Sequence, residues 1–175
     1  DDNREASISD NGAILAFIST RNLVPGVGNA DGNPELFFYN LTTSSFTQGT
    51  NTKDAVAGIG LLFQSNPSLS ADGSVVAFVS SRDGADGVWR MNVDGSGQRL
   101  LAHVPVASWL SITPDGRHVI CTSYRTGRPS TWSVPIEGGQ ATRGTGRSRC
   151  SVHPRAQVPD AFIVQVRELR QLGRR

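Results

Sequence analysis

NPSLSADGSVVAFVSSRD, residues 66–83, places a proline and small polar residues before an Asp-Gly pair, then an apolar run closed by an arginine. Near copies stand upstream, ASISDNGAILAFISTRN at 6–22, and downstream, WLSITPDGRHVICTSYRTG at 109–127. Aligned on the turn, Asn11-Gly12, Asp72-Gly73 and Asp115-Gly116 fall in register, 61 and then 43 residues apart. The Asp/Asn-Gly pair is expected to supply the positive-φ positions of a tight hairpin. Residues of high strand propensity follow it: Ile14, Ala16 and Ile18; Val75, Ala77 and Val79; His118, Ile120 and Thr122 with Val119 and Cys121 between. These runs are apolar at successive positions, as expected of a strand covered on both faces.

After the Ser-x-Arg or Tyr-Arg closure, each copy continues in the same order. A second turn (DGADG at 83–87, RTGRPS at 125–130) leads to an aromatic strand, GVWRMNV at 87–93 or STWSVPI at 130–136. A third turn (DGSG at 94–97, EGGQ at 137–140) leads into QRLLAH or QATRGT. Each repeat reads as four strands joined by three turns. A period of about 40 to 50 residues with this content is that of a β-propeller blade.

The motifs SLSADGSVVAFVSSRDGADGVWRMNVDGSGQRLL (68–101) and SITPDGRHVICTSYRTGRPSTWSVPIEGGQATRGT (111–145) resemble the TolB-like, WD40-like repeats of bacterial β-propellers. That pattern is a Ser-Pro-Asp-Gly turn, an Ile-Ala-Phe-x-Ser-x-Arg strand, an aromatic strand ending in an Asp-Gly turn, and a Leu-Thr closure. The matches cover about 7–145. The resemblance implies an all-β fold: an incomplete β-propeller of four-stranded antiparallel blades at about 6–65, 66–108 and 109–145. Residues 146–175 are expected to be a degenerate fourth repeat or a basic C-terminal tail or helix. Pro159-Asp160 keeps the spacing, but Ala161 replaces the turn glycine; a helix from Pro159 to Leu172 would align Phe162, Val166 and Leu169. Known propellers close with four to eight blades, so three blades are expected to belong to a larger ring or to self-associate through open edges.

Composition agrees with a folded β-rich chain. The 175 residues are 37% hydrophobic, and the 19 Gly and 9 Pro leave little room for long helices. The longest apolar run, IGLLF, is far below the roughly 18 to 20 residues of a membrane-spanning helix, so no membrane insertion is expected. The net charge of +2 is uneven. Residues 1–142 hold nine Lys+Arg against 13 Asp+Glu, and 143–175 hold eight against two. Arg143, Arg147, Arg149, Arg155, Arg170, Arg174 and Arg175 lack the aromatic interleaving of a nucleic-acid site, and a solvated tail with no nucleic-acid partner is expected. Cys121 and Cys150 have no zinc-like spacing and read as simple thiols.

The first repeat is lengthened by NLVPGVGNADGNP between Arg21 and ELFFYNL (35–41). Insertions between blade strands project as loops at one end of a propeller, where partners bind. Asn29, Asp31, Asn33 and Glu35 place oxygen atoms at alternate positions of this loop and are the candidate binding residues. Val27 falls where an EF-hand-like calcium loop needs its first ligand, so a turn-rich hairpin tip is the reading adopted and no metal is assigned.

No catalytic residues and no cofactor are expected. GxSxG, HExxH and Walker-type GxxxxGK[ST] patterns are absent, and His103, His118 and His153 are read as surface or packing residues. Trp89 and Trp132 stand 43 residues apart at one repeat position and read as blade core; Trp109 is given the same packing role. The function expected from the resemblance is a non-catalytic protein-interaction or ligand-binding scaffold with a protein partner, periplasmic or extracellular. The alternatives are the gating propeller of a dipeptidyl peptidase IV-like or tricorn-like serine peptidase, and the sensory propeller of a bacterial regulator.

Overall fold

The structure, a computed structural model, describes residues 2–52, 64–104, 107–124 and 128–144. The expectations for residues 146–175, with Cys150, His153 and all of the basic cluster except Arg143, lie outside the described residues. Twelve strands form three four-stranded antiparallel sheets, and no helix occurs among the described residues. Blade 1 is β1 (Asn3–Ile8), β2 (Ile14–Ser19), β3 (Glu35–Asn40) and β4 (Ser45–Gln48). Blade 2 is β5 (Gln64–Leu69), β6 (Val75–Ser80), β7 (Gly87–Asn92) and β8 (Arg99–Ala102). Blade 3 is β9 (Ala107–Ile112), β10 (His118–Ser123), β11 (Ser130–Pro135) and β12 (Thr142–Arg143). Each sheet is a meander in chain order, and β5 touches both β1 and β9, so the first strands of the blades line up along the inner edge of the arc.

Blade 2 shows why the apolar runs do not alternate. In β6, Val76, Ala77, Phe78 and Val79 are all fully buried. Val76 and Phe78, with Met91, pack on Ala16, Ile18, Leu36 and Phe38 of blade 1. Ala77 and Val79, with Val88 and Leu101, pack on Val119, Cys121 and Val134 of blade 3. One strand therefore feeds two cores, and period two is hidden because both of its faces are apolar.

The repeated turn is built from side chains as well as glycine. Ser9, Ser70 and Thr113 each donate their hydroxyl to the residue two positions on, Asn11 Oδ1, Asp72 Oδ1 and Asp115 Oδ1, all at 2.6 Å. The same hydroxyls accept the amides of Ile14, Val75 and His118 at 3.0 Å. The Asn or Asp oxygen then accepts the amide of Ala13, Ser74 or Arg117. Only the glycines take positive φ; Asn11, Asp72 and Asp115 do not. This corrects the expectation that both members of the pair are left-handed: the first member is a hydrogen-bond staple of the Asx type. Gly73 has a further reason to be glycine, because a Cβ there would lie 3.1 Å from Ser9 Cβ in the neighbouring blade.

The arginine that closes the motif is also structural in blade 2. Its guanidinium lies 5.1 Å from the Phe78 ring centre and 4.8 Å from that of Trp89, while Arg82 Nε donates to Ser80 Oγ. Burial lowers the Arg82 pKa, opposed by the nearby charges of Glu35 and Asp83. Trp89 and Trp132, both half-buried, pack against the two cores as expected.

Two outcomes follow. Phe78→Ala removes a fully buried ring at the junction of blades 1 and 2 and should destabilise the fold by about 3–5 kcal/mol. Urea unfolding monitored by circular dichroism measures this, and a loss below about 1 kcal/mol would contradict the packing described. The Asp72 pKa is lowered mainly by the Ser70 hydroxyl and the Ser74 amide, and that of Asp115 by the Thr113 hydroxyl and the Arg117 amide. Folded pKa values below the unfolded ones give stability that is present above the ordinary carboxylate range and is lost as pH falls through the folded values. Replacing both with asparagine, the residue blade 1 already uses, should flatten the fall in melting temperature on acidification.

Candidate functional site

Three features could meet a partner: the inserted loop of blade 1, the inner strands of the sheets, and a groove between turns. In the loop, Gly26, Gly28 and Gly32 take positive φ and turn the chain repeatedly. Asn29 is 3% exposed and donates Nδ2 to the Asn33 carbonyl at 2.8 Å. Asn33 is 6% exposed and donates to the Thr52 carbonyl. Glu35, fully buried at the start of β3, accepts from the Thr50 hydroxyl and from the amide and hydroxyl of Thr52. Asn33 and Glu35 therefore fasten the loop to residues 50–52, Asn29 ties the loop to itself, and of the four candidate residues Asp31 alone is exposed. Among the described residues, no three His, Cys, Asp or Glu side chains come together as a metal site.

The inner strands share a feature that no motif announces. Glu5, Asn66 and Trp109 occupy one position of the repeat, and all three have positive φ, at 55°, 52° and 53°. Each lies where the register to the next strand slips, between Arg4 and Ser7, between Ser65 and Ser68, and opposite Ile120 and Thr122. These are β-bulges, which re-aim a side chain while leaving the rest of the ladder intact. The Glu5 carboxylate accepts the Asn66 amide across the blade junction. In blade 3 the bulge presents a tryptophan that is 73% exposed. This corrects the packing role expected for Trp109: its strand position matches that of the other two, but it belongs to neither core. A bulky residue in the left-handed region is strained, and such strain collects where a side chain must be aimed.

The groove lies between the first turns of blades 2 and 3, with a volume of about 340 Å³. Asp72, Asp115, Arg90 and Glu137 supply its charges. All four are already engaged. The two aspartates staple their turns, and Glu137 takes Arg90 at 3.0 Å and Arg99 at 2.7 Å, which lowers its pKa. The hydroxyls of Ser70 and Ser74, which also line it, both donate to the Asp72 carboxylate, and these bonds lower the Asp72 pKa.

The remaining sequence candidates are scattered. His103 is exposed, 3.6 Å from Asp83, and His118 is half-buried at the start of β10. Cys121 is a buried free thiol whose pKa burial raises to about 11, so it is not a reactive thiolate at neutral pH. No helix among the described residues is long and apolar enough to cross a membrane.

No family model matches the chain. Among curated proteins, tricorn protease homolog 2 of Streptomyces coelicolor is 37% identical over 75 residues, 42% of this chain and 6% of that protein. Among solved structures, TolB of Acinetobacter baumannii superposes with a TM-score of 0.62 at 21% identity, over 84% of this chain and 33% of that one. A TolB-type protein of Agrobacterium tumefaciens gives 0.62 at 19% identity, over 81% of this chain and 48% of that one. The propeller domain of the trilobed protease of Pyrococcus furiosus gives 0.55 at 15% identity, over 83% of this chain and 43% of that one. The chain thus spans a third to a half of these solved chains and a small part of the curated relative. The likeness shows the fold, three blades of a β-propeller among the described residues.

The loop geometry separates holding residues from presenting ones. Glu35→Ala leaves the Thr52 amide and the Thr50 hydroxyl without their acceptor and should cost about 1–3 kcal/mol, whereas Asp31→Ala should change stability by less than about 0.5 kcal/mol. Thermal melts of the two variants make the comparison, and equal melting temperatures would contradict it.

Proposed function

We propose that the chain is a non-catalytic propeller segment that serves as a protein-interaction scaffold, working in the periplasm or outside the cell. The observation that carries this reading is Trp109, 73% exposed on a fixed bulge at the inner edge of blade 3. Exposed tryptophan on a rigid frame is a typical anchor of protein interfaces, since a large contact area is gained with little loss of side-chain freedom. The inserted loop adds a second contact surface through Asp31, with Asn29, Asn33 and Glu35 holding its shape. The open inner edges also fit self-association.

The test is selection of binders from a random peptide library displayed on phage, using the intact chain as bait. Trp109→Ala should weaken the selected peptides at least about tenfold, the effect of losing an interface anchor. Binders whose affinity changes with neither Trp109→Ala nor Asp31→Ala would overturn the proposed surface.

A second reading is favoured by the match to the tricorn protease homolog and by the fold shared with the propeller of the trilobed protease. Here the arc would belong to a gating propeller, with peptide cleavage carried out by a hydrolase domain of the full protein. A GxSxG nucleophile motif encoded downstream in the same gene supports this reading, and its absence from the whole gene counts against it.

A further inference from the structure

The two junctions inside the chain use the same bond. Ser7 Oγ accepts the Leu69 amide at 3.2 Å, and Ser68 Oγ accepts the Ile112 amide at 3.1 Å. In the repeat, Ser7, Ser68 and Ser111 are equivalent, as are Ile8, Leu69 and Ile112. A third acceptor and a third donor therefore stand at opposite ends of the arc. Ser111 is exposed, and its hydroxyl meets the carbonyl of its own neighbour Ile112 at 3.5 Å, the limit for a weak bond. Ile8 is 40% exposed, whereas Leu69 is 8% and Ile112 9% exposed. The strand registers Ile8 with Leu15, Leu69 with Val76 and Ile112 with Val119 are the same, so the Ile8 amide faces outward as the other two do.

We propose that a second copy of this chain docks at these ends, Ser111 Oγ of each copy accepting the Ile8 amide of the other. The proposal rests on the reading of the blade 3 inner edge as a partner surface, and it names the partner. The junction continues an interface already made twice within the chain, which supplies both register and direction. The described residues hold three blades, and those of two copies bring six, inside the range of about four to eight. Two identical head-to-tail junctions close under two-fold symmetry and leave no open inner edge. Beyond the edge, the forward face of blade 3 carries His118, Thr122 and Thr131 where blade 2 has Val75, Val79 and Val88. The junction is accordingly less apolar than the internal ones, and the pair exchanges with the monomer.

Size-exclusion chromatography with light scattering over a dilution series of the 175-residue chain should show a monomer-dimer equilibrium, with no larger species. Ser111→Arg and Ile8→Arg each block one end, and because both residues are exposed the variants should keep the wild-type circular dichroism spectrum. Each variant alone should be monomeric. Mixed, they should again form a dimer through the single junction left intact, of Ser111 in the Ile8→Arg chain with Ile8 in the Ser111→Arg chain. A wild type that is monomeric at every concentration, single variants that dimerise like wild type, or a mixture that stays monomeric would each overturn the proposal; the first leaves the ends to a blade of a longer polypeptide. The wild-type stoichiometry is read without any variant. A monomeric wild type would leave Trp109-dependent peptide binding standing, so the two readings fail separately.

Discussion

A four-stranded sheet that is apolar on both faces must be covered twice, and most of this structure follows from that requirement. Blade 2 meets it completely, with Val76 and Phe78 turned to one neighbour and Ala77 and Val79 to the other. The closeness of the packing shows in the residues that permit it. A Cβ on Gly49 would lie 2.6 Å from the Phe38 ring and 2.9 Å from the Met91 methyl, so the exit from β4 can pass between blades only as glycine. Arg82 fits at the rim because its charge lies over two aromatic rings and its stem covers apolar surface.

Because blades touch mainly through side chains, each must arrive with its own geometry fixed, and the hydroxyl-carboxylate staple of the first turn does this locally. Blade 1 uses an amide in place of the acid, and the substitution has a consequence across the junction. Asn11 keeps an Nδ2 that donates to the Asp72 carbonyl at 3.0 Å. Asp72, at the same position in blade 2, has no donor to offer blade 3. That junction instead uses Arg90 and Arg99 on Glu137, with Arg99 also reaching the Ile136 carbonyl. The same fold position thus takes different pairings at the two junctions, an amide to a carbonyl at one and guanidinium groups to a carboxylate at the other.

Much of the fold was legible in the sequence because its signals are local. Turn glycine, staple residues and apolar run recur within about 15 residues, and β2, β6 and β10 fall where the repeat places them. The bulges were not legible, since Glu5, Asn66 and Trp109 share a backbone conformation and no chemistry. An aromatic residue beside a strand motif reads as core, and only the register slip shows that Trp109 is turned out. The inserted loop failed to reveal its interior for another reason. Alternate oxygens at 29, 31, 33 and 35 resemble a ligand set, but Asn33 donates its Nδ2 to the Thr52 carbonyl and the Glu35 carboxylate accepts from Thr50 and Thr52, from beyond β4. Spacing along a chain cannot show a partner that arrives through tertiary structure.

The ends of the arc differ in chemistry, and that difference gives it a direction. The rear face of blade 1 is aromatic, with Phe17 stacked on Phe37 at 6.1 Å and Phe46 set against Tyr39 at 4.7 Å. The forward face of blade 3 carries hydroxyls and an imidazole where the preceding blade carries valines. The inner edges are polarised in the same sense, with an exposed hydroxyl acceptor at Ser111 and an exposed strand position, with its amide, at Ile8. Two blade 3 ends brought together would set hydroxyl against hydroxyl with no strand amide between them, and two blade 1 ends would oppose amide donors with nothing to receive them. Only unlike ends complete the bond that the chain already makes at its internal junctions.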